Sequence, residues 1–210
     1  MKEGEKRIIF HIDVNNAFLS WTAVKMLKDG EKLDIRKIPS VIGGEEKERH
    51  GIVLAKSMPA KKRGVQTAET LYSARQKCPN LKVFKPDYSW YYEQSNLMYQ
   101  YLTRYTPLIE RYSIDECFLD LSGTSLLYKN YETLAEKIKN DIKTNFGFTV
   151  NVGIGNNKLC AKMASDFEKP DKVHTLYNEE IMKKMWPLPI GDLFLSLIHI
   201  SEPTRHSLIS

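Results

Sequence analysis

The 210-residue chain reads as an α+β protein with a ferredoxin-like core, an antiparallel sheet backed by two helices, and a smaller subdomain inserted after the first helix. Three observations carry that expectation. The run Arg7-Ile8-Ile9-Phe10-His11-Ile12 is almost continuously apolar, as a central strand buried on both faces must be. Two runs rich in β-branched, aromatic and aliphatic residues, Leu108-Ile109-Glu110-Arg111-Tyr112 and Cys117-Phe118-Leu119-Asp120-Leu121, flank a short polar turn and read as a hairpin. With the inserted stretch set aside, the elements follow the order strand, helix, strand, strand, helix, strand.

Taken in order, a strand over 7–14 leads into a helix over 16–27, stopped by Asp29-Gly30. Strands over 38–42 and 51–56 flank a charged turn at 43–50. A helix over 70–77 ends before Pro79, and 81–84 is another strand. An aromatic-rich helix over 88–105 ends before Pro107, and its Tyr91, Met98, Leu102 and Tyr105 fall at helical spacing, as core residues do. After the hairpin, 131–146 is an amphipathic helix with Leu134, Ile138 and Ile142 on one stripe. A strand at 149–154, a helix at 158–167, a strand at 173–176 and a short helix at 179–185 complete the pattern.

Carboxylates mark the ends of these strands. Asp13 closes the first, and Asp115-Glu116 sits at the tight end of the hairpin. Adjacent acids repel, so a fold keeps such a pair where a cation neutralises it. Each site alone reads equally well as a helix cap or a turn residue. Together, about a hundred residues apart, they point toward a shared divalent cation.

Ile12-Asp13-Val14-Asn15-Asn16-Ala17-Phe18 and Ser113-Ile114-Asp115-Glu116 resemble the two metal motifs of the Y-family, translesion DNA polymerases of the bacterial polymerase IV type. Met58-Pro59-Ala60-Lys61-Lys62-Arg63-Gly64-Val65 resembles that family's triphosphate-contacting fingers segment. Val150 to Leu159 resembles its glycine-bearing palm strand and turn, and Ala161 to Pro170 its helix ending in a phosphate-binding lysine. The five motifs run in register from about Arg7 to Phe194. The resemblance divides the chain into palm (1–30), fingers (31–80), palm (81–177), the start of a thumb (178–194) and a tail outside the family pattern (195–210), with the remaining thumb and the little finger absent.

That likeness implies template-directed nucleotidyl transfer with two magnesium ions, primer-template DNA and deoxynucleoside triphosphates. Asp13 and Asp115 would bridge both ions, Glu116 would hold the ion beside the primer 3′-hydroxyl, and the Val14 carbonyl would help hold the other. Phe18, by spacing an ordinary core aromatic, would act as a steric gate against a ribose 2′-hydroxyl. Lys61 and Lys169 would contact phosphates, although the surrounding lysine clusters read by themselves as solvated faces. Met58 stands where many relatives have Tyr, and Lys61 where many have Arg, so triphosphate contacts are expected to be fewer, with the Ser57 hydroxyl as a substitute. Asn15 replaces a common acid and receives no ligand role.

A net charge of +5 permits a polyanionic partner without proving one. No apolar run approaches the ~20 residues that span a bilayer. The N-terminus has no signal-peptide core, and Cys78, Cys117 and Cys160 have no metal-type spacing, so a cytoplasmic protein with reduced thiols is expected; a monomer is expected as well. The 195–210 stretch resembles translated sequencing adapter more than coding sequence, so a gene cut near Phe194 is expected and His199 and His206 receive no role. A sliding clamp is expected only for a longer protein, and weak or no synthesis for this chain alone. The alternatives are a palm-like nucleotide cyclase and a non-catalytic nucleic-acid-binding scaffold.

Overall fold

A computed structural model describes residues 7–44 and 51–194; the acidic-basic part of the 43–50 turn and the 195–210 tail lie outside the described residues. Strand β1 (Ile9–Val14) is buried along its whole length. It enters α1 (Ala17–Lys28) through Asn16, whose φ of 50° is a conformation that Asn tolerates better than other non-glycine residues. Gly30, at φ +94°, follows α1. A one-turn 3-10 helix (Ile35–Lys37) precedes β2 (Ser40–Gly43) and β3 (Val53–Lys56). Then come α2 (Met58–Lys62), α3 (Leu71–Lys77), β4 (Lys82–Phe84) and α4 (Tyr88–Leu102). The hairpin is β5 (Ile109–Arg111) and β6 (Glu116–Asp120), followed by α5 (Tyr131–Phe146), β7 (Val150–Gly155), α6 (Lys158–Asp166) and β8 (Val173–Leu176). The expected helix at 179–185 is a 3-10 turn (Asn178–Glu180) running into one helical turn, α7 (Ile181–Lys184).

The main sheet has the order β5-β6-β1-β7-β8. Its first four strands pair antiparallel, which gives the expected ferredoxin-like arrangement. The fifth departs from it: β8 pairs parallel with β7, because α6 carries the chain back across the sheet. The sheet is also covered on both faces. Phe10, Ile12, Val14, Cys117 and Leu119 pack with Trp21 of α1, Tyr91 and Met98 of α4, and Leu134, Ile138 and Ile142 of α5. Ile9 and Phe118 point the other way, onto Ala161 of α6. Two backing helices are therefore joined by α4 beside them and α6 opposite, and α6 explains why β1 carries no polar face to solvent.

The inserted subdomain is a three-stranded sheet, β3-β2-β4, packed on α2 and α3. The sequence places the return to the palm at residue 81; β4 instead pairs parallel with β2, so the subdomain extends to Phe84. Asn16 Nδ2 donates to the Lys56 carbonyl (2.8 Å), tying the start of α1 to β3. Caps fall where short polar residues allow: Thr70, Asp87, Asn130 and Asn157 each accept a backbone N–H from the first turn of α3, α4, α5 and α6. All three cysteines are buried and free. No helix among the described residues is long and apolar enough to cross a membrane.

Candidate active site

Strand register builds the site. β1 and β6 pair with Asp13 directly opposite Glu116, and the Val14 N–H donates to the Asp115 carbonyl (3.0 Å). The three acids expected from the sequence are thus brought to the same end of two adjacent strands. They open into a cleft of about 680 Å³ between the main sheet and the inserted subdomain, which Val14, Phe18, Met58, Lys61 and Lys169 also line.

The carboxylates are not equivalent. Asp13 is nearly buried and takes Lys169 Nζ at 2.6 Å and Lys162 Nζ at 3.5 Å on one oxygen. Burial pushes its carboxyl above the ordinary range, and the Lys169 and Lys162 charges pull against that. Both Glu116 oxygens are engaged, one by Lys162 Nζ (3.0 Å) and one by His11 Nε2 (3.2 Å). Burial works to raise the Glu116 pKa, but these hydrogen bonds and the Lys162 charge outweigh it and hold the carboxyl at about 2. Asp115 is more accessible and accepts the Ser113 hydroxyl at 2.7 Å. Burial opposes the charge on Lys162 and Lys169, yet their carboxylate partners hold both above the usual lysine value.

A divalent cation fits this donor set. Three carboxylates and the Val14 carbonyl are hard oxygen ligands of the type magnesium prefers, with open cleft for water and phosphate. Among the described residues they are not drawn into a ready-made cage, since Lys162 bridges Asp13 and Glu116 and Lys169 also pairs with Asp13. The helix-cap alternative for Asp13 fails, because its carboxylate faces those lysines and the position before α1 belongs to Asn16.

Phe18 forms an aromatic floor. Its ring stacks on Tyr91, with centroids 4.8 Å apart and planes within 9°, and Tyr88 meets it edge-on. Lys61 and Met58 are exposed on α2 at the cleft wall. Ser57 requires a correction. It is fully buried, its hydroxyl donates to the Ile38 carbonyl (2.7 Å), and it accepts the Ala60 and Ser40 amides. It caps α2 and offers nothing to a nucleotide. Asn15 is likewise structural: its side chain donates to Asn151 and accepts the Asp171 amide.

Sequence reading missed Lys162 and His11. Lys162 stood among other lysines and read as solvated, whereas its side chain is only 9% exposed. His11 is fully buried and shares the Asp13 face of β1, two residues earlier. That period-two relation was a usable signal. Helix α6 holds Lys162 in place because glycines let it lie directly on β7: a Cβ on Gly153 would stand 1.9 Å from the Ala161 carbonyl oxygen.

The impB/mucB/samB family matches residues 12–166. A DNA polymerase IV of Clostridium acetobutylicum is 59% identical over 189 residues, covering 90% of this chain and 48% of that relative. DNA polymerase IV 1 of Bacillus subtilis is 37% identical over 190 residues, covering 90% of this chain and 44% of its own length. Among solved structures, DinB from Sulfolobus solfataricus superposes with a TM-score of 0.77 at 26% identity, covering 89% of this chain and 53% of that one. An insertion ternary complex of Dbh DNA polymerase gives 0.77 at 25% identity, covering 90% and 54%. The chain spans about half the length of the curated relatives it matches.

Proposed function

The chain belongs to the impB/mucB/samB family, whose solved neighbours include Y-family DNA polymerases, and from that premise we propose that it is the palm and fingers of a lesion-bypass DNA polymerase. The reaction is transfer of a deoxynucleotide to a primer 3′-hydroxyl on a DNA template. The observation that carries this reading is the Asp13–Glu116 register pair with Asp115 beside it, opening on a cleft floored by Phe18. Family membership sets aside the cyclase alternative.

Asp13, Asp115, Glu116 and the Val14 carbonyl are the groups that would hold two magnesium ions. Bound there, such a pair supplies charge neutralisation on the triphosphate and lowers the pKa of the primer hydroxyl. The protein's own contribution is placement. Asp13 is fixed by the central strand, and Glu116 is kept ionised by His11 and Lys162. Lys61 and Lys169 are the phosphate contacts, and Lys169 must leave Asp13 to serve as one. Met58 adds an apolar wall without a hydrogen bond. The flat Phe18 ring, pinned by Tyr91, leaves a ribose 2′-hydroxyl no partner.

The enzyme would be cytoplasmic and monomeric, with clamp contacts, where present, outside this chain. Relatives carry about as much chain again, and fewer phosphate contacts cost affinity steeply at ordinary salt. The test is primer extension with Mg2+ by this chain and by residues 1–194 fused to the downstream half of the Clostridium acetobutylicum relative. Extension is expected from the fusion, little from the chain alone, and none from the fusion carrying Asp115→Ala. Near-normal incorporation by that variant refutes the site assignment.

A further inference from the structure

One cation in the cleft, Lys162, does more than keep Glu116 ionised. Lysine is rarely buried unless paired, and Lys162 sits 9% exposed within reach of three carboxylates: Glu116 at 3.0 Å, Asp13 at 3.5 Å and Asp166 at 3.6 Å. It cannot withdraw easily. Its helix is pressed onto β7 at Gly153 and Gly155. The Ser165 hydroxyl, which donates to the Lys162 carbonyl (2.7 Å), is also 2.8 Å from Nδ1 of the buried His11. Lys169 differs, being 38% exposed and anchored on the loop past α6.

We propose that Lys162 is a resident counter-ion of the acidic cluster, neutralising Glu116 and Asp13 in the ion-free protein and competing with the divalent cation for the same two carboxylates. The proposal rests on the reading that Asp13 and Glu116 take such a cation. Without Lys162, two carboxylates held opposite each other by strand register would repel, and the protein would keep them together only at a cost. With it, the cluster is preassembled. An arriving cation then shares its ligands with a fixed positive charge a few ångströms away, where Coulomb effects are strong in a partly buried setting. Lys162 therefore lowers cation affinity while holding the ligand geometry.

The experiment measures Mn2+ binding to the whole 210-residue chain by electron paramagnetic resonance of free Mn2+. It needs no DNA and no turnover. Lys162→Met and Lys162→Gln are expected to bind Mn2+ at least about tenfold more tightly, equivalent to about 1.4 kcal/mol. Lys162→Arg should restore the parent affinity, and Asp13→Asn should weaken binding in the parent. A purely structural lysine would not give tighter binding on removal. If Asp13→Asn weakens binding but both neutral variants bind equally or less tightly than the parent, competition is wrong and the site reading survives. If Asp13→Asn leaves binding unchanged, the cation lies elsewhere and both readings fall. Should the neutral variants misfold, Mg2+ titration of the unmutated chain decides: the Lys162 ammonium 15N resonance, assigned with Lys162→Arg, must shift, and an unmoved signal at saturation overturns the proposal.

Discussion

Gly153→Ala tests whether helix α6, and with it Lys162, is held by direct backbone contact with β7. The added Cβ would lie 1.9 Å from the Ala161 carbonyl oxygen and 2.4 Å from the Ser165 nitrogen, both backbone atoms with no rotamer to change. Real Cβ atoms essentially never approach closer than 3.0 Å, so the helix must retreat by on the order of 1 Å. A gap of that size forfeits roughly a quarter to a half of the dispersion attraction across the layer, which includes the fully buried Ala161 and Ala164. Overpacking costs ~1–3 kcal/mol, and a backbone clash belongs at the upper end. At ~2–4 °C per kcal/mol for a chain of this length, the thermal midpoint should fall by about 6–12 °C. Gly155→Ala, with nearest contacts of 2.7 Å, should fall by less. Thermal denaturation followed by circular dichroism measures both. A Gly153→Ala midpoint within about 2 °C of the parent would falsify the contact argument.

Two further outcomes are expected. Glu116 titrates at about 2 against an ordinary value of 4.5, which corresponds to about 3 kcal/mol at ~1.4 kcal/mol per tenfold in proton affinity. Because the folded value is depressed, that stability is fully present above about pH 4.5 and is lost as pH falls through about 2. The stability advantage of the parent over Glu116→Gln, measured by urea denaturation, should therefore shrink over that window, and a gap independent of pH would refute the pairing. In the fusion with the downstream half, Phe18→Ala should raise ribonucleotide incorporation relative to deoxynucleotide by about tenfold to a hundredfold, whereas an unchanged ratio removes the gate role.

What the sequence revealed follows from the range of the interactions involved. The stripe Leu134, Ile138, Ile142 places α5 correctly, and the apolar run at 9–14 is a strand buried on both faces. The short β8 is also where its apolar residues put it. What could not be read depends on distant partners. β4 joins the small sheet because of β2, forty residues earlier, and α2 forms because Ser57 caps it and Pro59 fits its first turn. The same Ser57 looked like a free hydroxyl because its acceptor, the Ile38 carbonyl, is nineteen residues away. Lys162 finds Glu116 across 46 residues and His11 finds it across 105, so neither contact has a local signature, although the shared face of His11 and Asp13 on one strand does.

The position of the acids is decided by residues that never touch the site. Along β6, Cys117 and Leu119 enter the core with Phe10 and Ile12, while Glu116 and Phe118 face the opposite side with Asp13, His11 and Ile9. Side chains alternate along a strand, so a slip of one residue would drive Glu116 into that core and expose Cys117 and Leu119 to α6. Several apolar side chains, each worth ~1.5–3 kcal/mol when buried, oppose such a slip. The like-charge repulsion of the acids is thus overcome jointly, by apolar burial that fixes where the carboxylates stand and by the buried Lys162 that lets them remain charged there. Weakening the hydrophobic register should therefore disturb the cluster as surely as removing a carboxylate.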